Sequence, residues 1–224
     1  MTGGLAARQL GNLGVVNAPT KAGEKTKERL VRTVLELASE GSFDDIKVED
    51  VLASSGVSTG SLYHHFEDFD HLIETAMVER YVELQNAGFL LVGSALDEAE
   101  DRDDLERRLV DASVAYLKLN TPEVRFDRAR ILAAADRSER LRGILGEAQQ
   151  ELTDSLAGMF ARAQRPEGLL DPELDPRAIA VLVQAYTFGR VVDDVVPEPM
   201  EQTKWLELVL TVFMRGLVPD PAPA

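Results

Sequence analysis

The sequence predicts an all-α protein, and three observations support this prediction. Apolar residues recur at three- and four-residue steps along most of the 224 residues, which is the spacing of the buried face of a helix. No stretch of useful length shows the alternation of apolar and polar residues that marks a β-strand. Glycine and proline separate helical stretches, as at Gly56 and Pro122, where they end one helix or begin the next.

The composition fits one or two globular domains. Hydrophobic residues make up 45% of the chain and charged residues 28%, which is enough for a sizeable core. Cysteine is absent, and this excludes disulfide scaffolds, thiolate zinc sites and cysteine nucleophiles. No apolar run approaches the ~20 residues that span a bilayer, and the first residues lack the pattern of a secretory signal. We therefore expect a cytoplasmic protein that does not engage a membrane.

The net charge of −15 argues against general coating of nucleic acid, which requires clustered lysine and arginine. The charge is distributed unevenly, however. Residues 1–35 carry six basic and two acidic side chains, a net +4, so the other 189 residues carry −19. Any contact with a polyanion is therefore expected near the N-terminus.

The N-terminal part is predicted to contain an arm and three helices. Residues 1–20 have no sustained period, which indicates a flexible arm. A first helix follows Gly23 and is expected to end at Gly41, where glycine would adopt the left-handed conformation. A short second helix is predicted over 48–54 and a third over 59–66.

The segment 57–66 has the features of a helix that enters the major groove of DNA. Ser58 can cap this helix, while Leu62 and Phe66 share its buried face. The segment contains no Asp or Glu in a chain that has 39 of them, so nothing in it repels phosphate. Gly60 lowers helix stability by about 1 kcal/mol relative to Ala, which a close approach of the backbone to DNA would explain. The outer face is expected to carry small or hydrogen-bonding side chains, which suit a groove ~12 Å wide. These are Thr59, Gly60, Ser61, Tyr63 and His64.

The rest of the chain is predicted to be helical almost throughout. A fourth helix, capped by Asp68, is expected to run to about Val92. Further helical stretches are expected at 97–120, from 122 onward, and at 141–163, 176–194 and 200–217, with a loop at 166–175. The predicted domains are a helix-turn-helix domain (21–67) and a larger helical domain (68–218), followed by a tail (219–224).

From Leu30 to Phe66 the sequence resembles the N-terminal DNA-binding domain of the TetR family of bacterial transcriptional repressors. The resemblance covers roughly residues 24–75 and rests on the spacing of glycine, apolar and aromatic positions. The matching residues are Gly41, Phe43, Val48, Val51, Gly56, Val57, Ser58, Gly60, Leu62, Tyr63 and Phe66.

The resemblance implies which residues contact DNA. Thr59 and Ser61 match positions that touch bases or nearby phosphates, and Tyr63 and His64 match positions that contact the DNA backbone. With the cap and the nearby lysines, the predicted DNA-binding residues are Lys25, Lys27, Lys47, Ser58, Thr59, Gly60, Ser61, Tyr63 and His64.

Four positions depart from the family pattern. Lys47 stands where a capping Thr or Ser is usual, which weakens the cap but adds a positive charge. Phe69 stands where a lysine at the start of the fourth helix often holds a phosphate, and Glu67 and Asp68 place negative charge in the same turn. Operator affinity is therefore expected to lean more on the N-terminal basic cluster.

The resemblance also implies a larger domain that binds a small-molecule effector and a homodimer that reads a palindromic operator. Dimerisation is expected on general grounds too, because one helix-turn-helix discriminates poorly among genomic sites. The candidates for lining a ligand cavity, with an ordinary role in the core as the alternative, are Phe89, Tyr116, Arg125, Phe126, Arg130 and Tyr186. The last two helices are the expected dimer seam, through Ala178, Val181, Leu182, Ala185, Leu206, Val209, Leu210 and Phe213. The aromatic content of 6% favours an apolar or acyl-like effector.

Three alternatives stay open: an all-α protein-interaction module, a helical enzyme that does not bind DNA, and a constitutive regulator without a ligand, whose larger domain would have no cavity. The sequence contains no Gly-rich phosphate loop and no nucleophile elbow. His64, His65 and His71 are not spaced to converge on one metal ion. We therefore expect no enzymatic activity, no metal and no cofactor.

Overall fold

The computed structural model describes residues 21–165 and 168–219. These residues contain nine α-helices and no β-strand, so the predicted all-α class is confirmed. The predicted arm over 1–20 and all of the tail except Pro219 lie outside the described residues. The helices are α1 (Lys21–Glu40), α2 (Val48–Ser55), α3 (Thr59–His65), α4 (Phe69–Glu98), α5 (Arg102–Leu119), α6 (Pro122–Ala134), α7 (Glu139–Ala163), α8 (Pro176–Gly189) and α9 (Gln202–Leu217). Two short 3₁₀ turns lie at Phe43–Asp45 and Arg190–Val192.

The chain forms two compact units, and the division falls between Ile73 and Glu74. The sequence had suggested a division between residues 67 and 68. The difference arises because the first residues of α4 belong to the first unit, where Leu72 is fully buried.

The core of the first unit is built on α1, which packs against α2 and α3. Leu30 and Val34 on α1 are completely buried, as are Val51 on α2 and Leu62 on α3. Burial of these aliphatic side chains stabilises the three helices, of which α2 and α3 are too short to be stable alone.

Side-chain caps set most helix starts. Ser58 Oγ accepts from the amide of Ser61 at 3.2 Å, which confirms the predicted cap of α3. Asp68 Oδ1 accepts from the amide of His71 at 2.6 Å and caps α4 as predicted. Side chains cap α5, α6, α7 and α8 in the same way, at Asp101, Thr121, Ser138 and Asp175. Each cap satisfies an amide that has no partner within its helix.

Two helix ends differ from the prediction. Gly41 follows the end of α1 but does not have a positive φ; among the described glycines Gly56 does, with φ 66°. Ser42 instead continues in an extended conformation and caps the first 3₁₀ turn. α4 continues six residues beyond Val92, because Ala95 and Leu96 extend its buried face into the core of the second unit.

The predicted helix 176–194 is shorter than expected. α8 ends at Gly189, and the chain tightens into the 3₁₀ turn that follows. Arg190 turns inward there, and its Nη2 donates to the carbonyl of Met200 at 2.7 Å. This contact brings the start of α9 back against the end of α8.

The core of the second unit is formed by aliphatic and aromatic side chains from α4 to α9, and α7 and α8 pack extensively against each other in it. Leu105, Leu141, Leu156 and Phe160 are almost fully buried in it. Glu74 accepts from Ser138 Oγ and from Arg140 Nε, both at 2.5 Å, and this ties the second unit's end of α4 to the start of α7. No helix in the described part of the chain is both long and apolar enough to cross a membrane.

Candidate functional site

The outer face of α3 is exposed and uncharged. Leu62 is fully buried and Phe66, directly after the helix, is 1% exposed, so they anchor the helix to the core. The opposite face presents Tyr63, which is 50% exposed. The other predicted contact residues on this helix and its cap are likewise accessible: Ser58, Thr59, Gly60 and His64 are exposed and Ser61 is half-buried.

The backbone of α3 is open at Gly60. A β-carbon placed there would meet no atom within 4 Å, so nothing inside the protein requires glycine at this position. The α2–α3 turn has a different requirement, because Gly56 adopts φ 66°, a conformation that side chains with a β-carbon disfavour. The turn and the capped helix together present α3 outward.

Three lysines of the first unit have exposed side chains, and one of them is shown to lie beside α3. Lys27, from α1, places its Nζ 5.7 Å from the centre of the Phe66 ring, next to the end of α3. Lys47 occupies the N-cap position of α2 without making a side-chain cap, as its residue type predicted. Lys25 is exposed on the first turns of α1.

The end of α3 is also lined by histidines. His64 and His65 have ring centres 5.1 Å apart, and His71 meets the edge of Phe66 at 5.5 Å. Burial, His64 and Lys27, in that order, lower the pKa of His65. His71 Nδ1 accepts from the amide of Glu67 at 3.3 Å, a contact that sequence reasoning missed. No three His, Asp or Glu side chains gather as a metal ion would require anywhere in the described ranges.

Two cavities lie in the second unit and adjoin each other. The first holds about 430 Å³ of space, including the part open to solvent, and is bordered chiefly by α5, α8 and α9. The second holds about 410 Å³ on the same measure and is bordered by α4, α5 and α8. Four residues border both cavities and are called the shared wall below. They are Ser113, Tyr116, Tyr186 and Thr187.

The predicted ligand residues fall into two groups. Those that border a cavity are Phe89, Tyr116, Arg125 and Tyr186. Phe126 and Arg130 are not among the residues that border either cavity, and Arg130 is an exposed side chain that pairs with Asp127 at 3.6 Å. Burial, and then Tyr116, raise the pKa of Tyr186 far above its usual range, so its hydroxyl stays protonated.

Arg125 is buried in an ion pair. Its Nε and Nη2 donate to the two carboxylate oxygens of Asp194 at 2.6 and 2.5 Å, and each side chain is at most 3% exposed. The hydrogen bond from Arg125 lowers the pKa of Asp194. Arg125 also donates to the carbonyl of Asn120. This pair joins α6 to the residues that follow the second 3₁₀ turn.

Arg128, one turn further along α6, is 2% exposed and has only neutral acceptors. Its shorter hydrogen bonds go to Gln85 Oε1 at 2.8 Å and to Asn120 Oδ1 at 2.7 Å. Longer ones go to the Tyr116 hydroxyl at 3.5 Å and the Thr187 carbonyl at 3.3 Å. All four acceptor residues border a cavity.

Sequence reasoning missed this polar cluster. Arg128 is three residues after Arg125 and so shares its helix face, which was the available signal. Gln85, Asn120 and Asp194 carry no comparable signal, because only the tertiary fold brings them to α6.

The predicted dimer residues also divide. On α8, Ala178, Val181, Leu182 and Ala185 are exposed. On α9, Leu206 and Val209 border the first cavity, and Leu210 and Phe213 pack against the core. The apolar residues of α9 that are exposed are instead Leu208 and Val212, at 54% and 56%.

The first unit thus has a short capped helix, anchored by two apolar side chains, that follows a tight glycine turn and presents an uncharged face. This is the arrangement of the helix-turn-helix proteins that bind DNA. Comparison with known proteins makes the assignment specific. Residues 30–76 match the family model of the bacterial regulatory proteins, tetR family. The N-terminal part of the chain is therefore similar to the DNA-binding domain of that family, and the protein is a TetR-like DNA-binding transcriptional regulator.

Individual relatives agree with this assignment. The HTH-type transcriptional regulator UidR of Escherichia coli K12 is 25% identical over 181 residues, which cover 79% of this chain and 85% of UidR. A TetR-family regulator from Cytophaga hutchinsonii has a TM-score of 0.62 at 14% identity, covering 90% of this chain and 99% of that chain. A protein from Saccharomonospora viridis, crystallised in complex with choline, has a TM-score of 0.59 at 15% identity, covering 88% and 100%. The two structures show that the fold is shared.

Proposed function

We propose that the protein is a repressor that binds a palindromic operator as a homodimer and leaves it when a small molecule binds the second unit. The observation that carries the DNA-binding part is the exposed, uncharged face of α3, in a chain of net charge −15. Thr59, Gly60 and Ser61 would face the bases, and Tyr63 and His64 the DNA backbone. Regulation, rather than catalysis, is the role proposed for the whole chain, and binding to bacterial DNA would take place in the cytoplasm.

Basic side chains would supply the phosphate contacts. Lys27 on α1 lies next to the end of α3, Lys25 lies on the same helix as Lys27, and Lys47 directly precedes α2. Glu67 and Asp68 bring negative charge to the start of α4, where Phe69 cannot bind phosphate. Each lysine contact would contribute to the salt dependence of operator binding.

The cavities of the second unit support the effector part of the proposal. Aromatic and aliphatic side chains with a few polar groups line them, as is usual in small-molecule sites. The Saccharomonospora viridis protein, which shares the fold, was crystallised with a small organic molecule, choline. An effector that binds the DNA-free form more tightly would release the operator, typically with ~1–3 kcal/mol of coupling.

Tyr63→Ala tests the DNA interface. Binding to the DNA that flanks the protein's own gene is measured by gel shift and footprinting, with Tyr63→Phe separating loss of the ring from loss of the hydroxyl. Because Tyr63 is half exposed and outside the core, the substitution should leave the melting temperature nearly unchanged. It should weaken binding by about tenfold or more, the value of one or two good contacts.

Leu90→Ala is the control, since Leu90 is a 70% exposed apolar residue of the second unit. It should bind the operator as the wild type does. Full operator affinity in Tyr63→Ala would contradict the proposed interface. A stable dimer with no footprint at all would instead indicate a protein-interaction module.

A further inference from the structure

Arg128 is a buried cation without a buried anion. The ion pairs of the described residues include none to its guanidinium, and its four acceptors are two side-chain amide oxygens, a hydroxyl and a backbone carbonyl, all neutral. Its Nε is buried and donates to nothing. Arginine remains protonated in proteins, so this charge cannot be relieved by losing a proton.

The neighbouring arginine, Arg125, is a buried guanidinium whose charge is compensated by a carboxylate. Arg125, three residues earlier on α6, is equally buried but has both carboxylate oxygens of Asp194. A buried charge is strongly unfavourable unless an opposite charge and hydrogen bonds compensate it. Arg125 has an opposite charge in Asp194, whereas the hydrogen-bond acceptors of Arg128 are all neutral.

A second arginine adds positive charge at the first cavity. Arg190 is 7% exposed and borders that cavity, and neither its Nε nor its Nη1 has a partner. Its contact with Asp193 is 3.8 Å long, and its guanidinium lies over the Trp205 ring at 5.8 Å. Arg125, Arg128 and Arg190 thus carry three buried positive charges, whereas their ion pairs supply only two carboxylates, Asp194 for Arg125 and Asp193 for Arg190. Glu123 is nearby but exposed at the surface.

We propose that the second cavity binds an organic carboxylate, whose negative group is compensated by Arg128. This rests on the proposed role of the second unit as an effector site and names the chemical class of the effector. The apolar body would lie against Phe89, Leu91 and Val92, which border the second cavity. Arg128 lies behind the shared wall and is not itself among the residues that border either cavity. The carboxylate would lie at the shared wall and reach the guanidinium by taking the place of Tyr116 and Thr187, which contact Arg128 there.

The weak contacts make room for such an anion. The bonds from Arg128 to Tyr116 and to Thr187 are its two longest, so an incoming carboxylate can replace them at little loss. A charged acceptor binds a guanidinium more strongly than a hydroxyl or a carbonyl does. The composition favoured an apolar or acyl-like effector. The buried charge of Arg128 adds that this effector carries a carboxylate.

Gln85→Glu is the decisive variant. It has the size and shape of the native side chain and puts a carboxylate where Gln85 Oε1 now stands, 2.8 Å from Arg128 Nη1. The variant supplies the missing anion from within, so an external carboxylate should lose its site. Gln150→Glu adds the same charge at an exposed position of α7 and serves as the matched control.

Binding to the full-length protein is measured by thermal unfolding and calorimetric titration at constant ionic strength. Each carboxylate probe is compared with its uncharged amide: hexanoate with hexanamide, and phenylacetate with phenylacetamide. In the wild type and in Gln150→Glu, a carboxylate should stabilise the protein more than its amide. In Gln85→Glu, carboxylate affinity should fall by about tenfold or more. Equal effects of acid and amide on the wild type, no binding by either carboxylate, or undiminished carboxylate binding by Gln85→Glu would each overturn the proposal.

Arg128→Met is a second variant in case Gln85→Glu does not fold. It removes the positive charge, so the preference for carboxylate over amide should disappear; a preference that persists would also overturn the proposal.

Operator binding in the presence of the same probes separates this inference from the proposed function. Carboxylate binding that leaves the operator complex intact would refute effector-controlled release and keep the anion site. Release by the amides as readily as by the acids would keep release and refute the anion site.

Discussion

Gly56 and Gly60 lie four residues apart and serve different purposes. Gly56 has φ 66° and ends α2 in the left-handed conformation, so the turn itself requires a glycine there. Gly60 lies within α3 with an ordinary helical backbone, and a β-carbon would meet no protein atom within 4 Å. Only the first glycine is explained by the fold of the free protein. For the second, we propose that close approach of the backbone to DNA is the reason.

Gly60→Ala should therefore separate stability from DNA binding. Alanine has a higher helix propensity than glycine and has space here, so the free energy of unfolding should rise by up to about 1 kcal/mol. The methyl group would face the major groove, and operator affinity should fall by about tenfold or more. Chemical denaturation and gel shift on the same preparation test the two effects.

Gly56→Ala provides the matched control for this prediction. The strain of a left-handed alanine should lower the free energy of unfolding by about 1 kcal/mol or more. A Gly60→Ala protein that is less stable than the wild type, or that binds the operator as tightly, would show that Gly60 is not kept for DNA.

At the residue scale, the sequence predicted positions with a local cause and missed those with a tertiary cause. The Ser58 cap and the buried pair Leu62 and Phe66 follow from spacing along one helix, and the structure has them. The hydrogen bond from Arg128 to Gln85 joins residues 43 positions apart. Nothing in the spacing of either residue indicates that contact.

At the scale of elements, the starts of α3 and α4 were predicted correctly, whereas the ends of α4 and α8 were not. Ser58 and Asp68 are short polar residues before apolar runs, and each accepts from a free amide at the start of its helix. The end of α4 depends on how far Ala95 and Leu96 reach into the core, which the sequence does not reveal. The early end of α8 depends likewise on the inward turn of Arg190 to Met200.

The Arg125–Asp194 pair joins two elements, α6 and the segment after α8, and its removal should be costly. Asp194→Ala leaves a buried guanidinium unpaired, so the free energy of unfolding should fall by about 3–5 kcal/mol. Asp154→Ala is the control, because its pair with Arg177 is about half exposed on both sides, and water screens such a pair so that its loss should change stability little. Denaturant titration of both variants measures the difference.

The same pair predicts a dependence on pH. Because the pKa of Asp194 is lower in the folded protein than in the unfolded chain, the unfolded chain takes up the proton first as the pH falls. The stabilisation is therefore complete at neutral pH and is lost as the pH drops below the usual range of aspartate. Asp194→Asn should remove this part of the acid sensitivity; an unchanged acid profile would show that other carboxylates dominate it.

At the scale of the whole molecule, the proposed repressor needs two copies of α3 at a fixed separation, one turn of DNA apart, ~34–36 Å. The apolar surface for such pairing is available on the last two helices, where Val181 and Leu182 on α8 and Leu208 and Val212 on α9 are each more than half exposed. The sequence predicts a seam that uses Leu210 and Phe213 on α9, whereas we propose that Leu208 and Val212 supply the α9 part of it, because they are exposed in the single chain. Leu210 and Phe213 are spaced for one helix face, and so are Leu208 and Val212, so spacing alone does not distinguish the two pairs. The packing of α9 shows that Leu210 and Phe213 contact the core.

Leu208→Arg should therefore disrupt the dimer without disturbing the fold. A charged side chain at the centre of an apolar interface is desolvated without a partner, so the dissociation constant should rise by about thirtyfold or more. Leu208 is 54% exposed in the single chain, so the melting temperature extrapolated to low protein concentration should be unchanged. Leu210→Arg would be a poorer test, because Leu210 packs against the core and its loss would confuse unfolding with dissociation.

Sedimentation velocity over a range of concentrations gives the dissociation constant for Leu208→Arg. Leu90→Arg, which changes an exposed apolar residue of α4, controls for the added charge. If Leu208→Arg dimerises as tightly as Leu90→Arg, the seam does not include α9. If it becomes monomeric and also loses the two-half-site footprint, both the seam and the need for paired recognition helices are supported by one substitution.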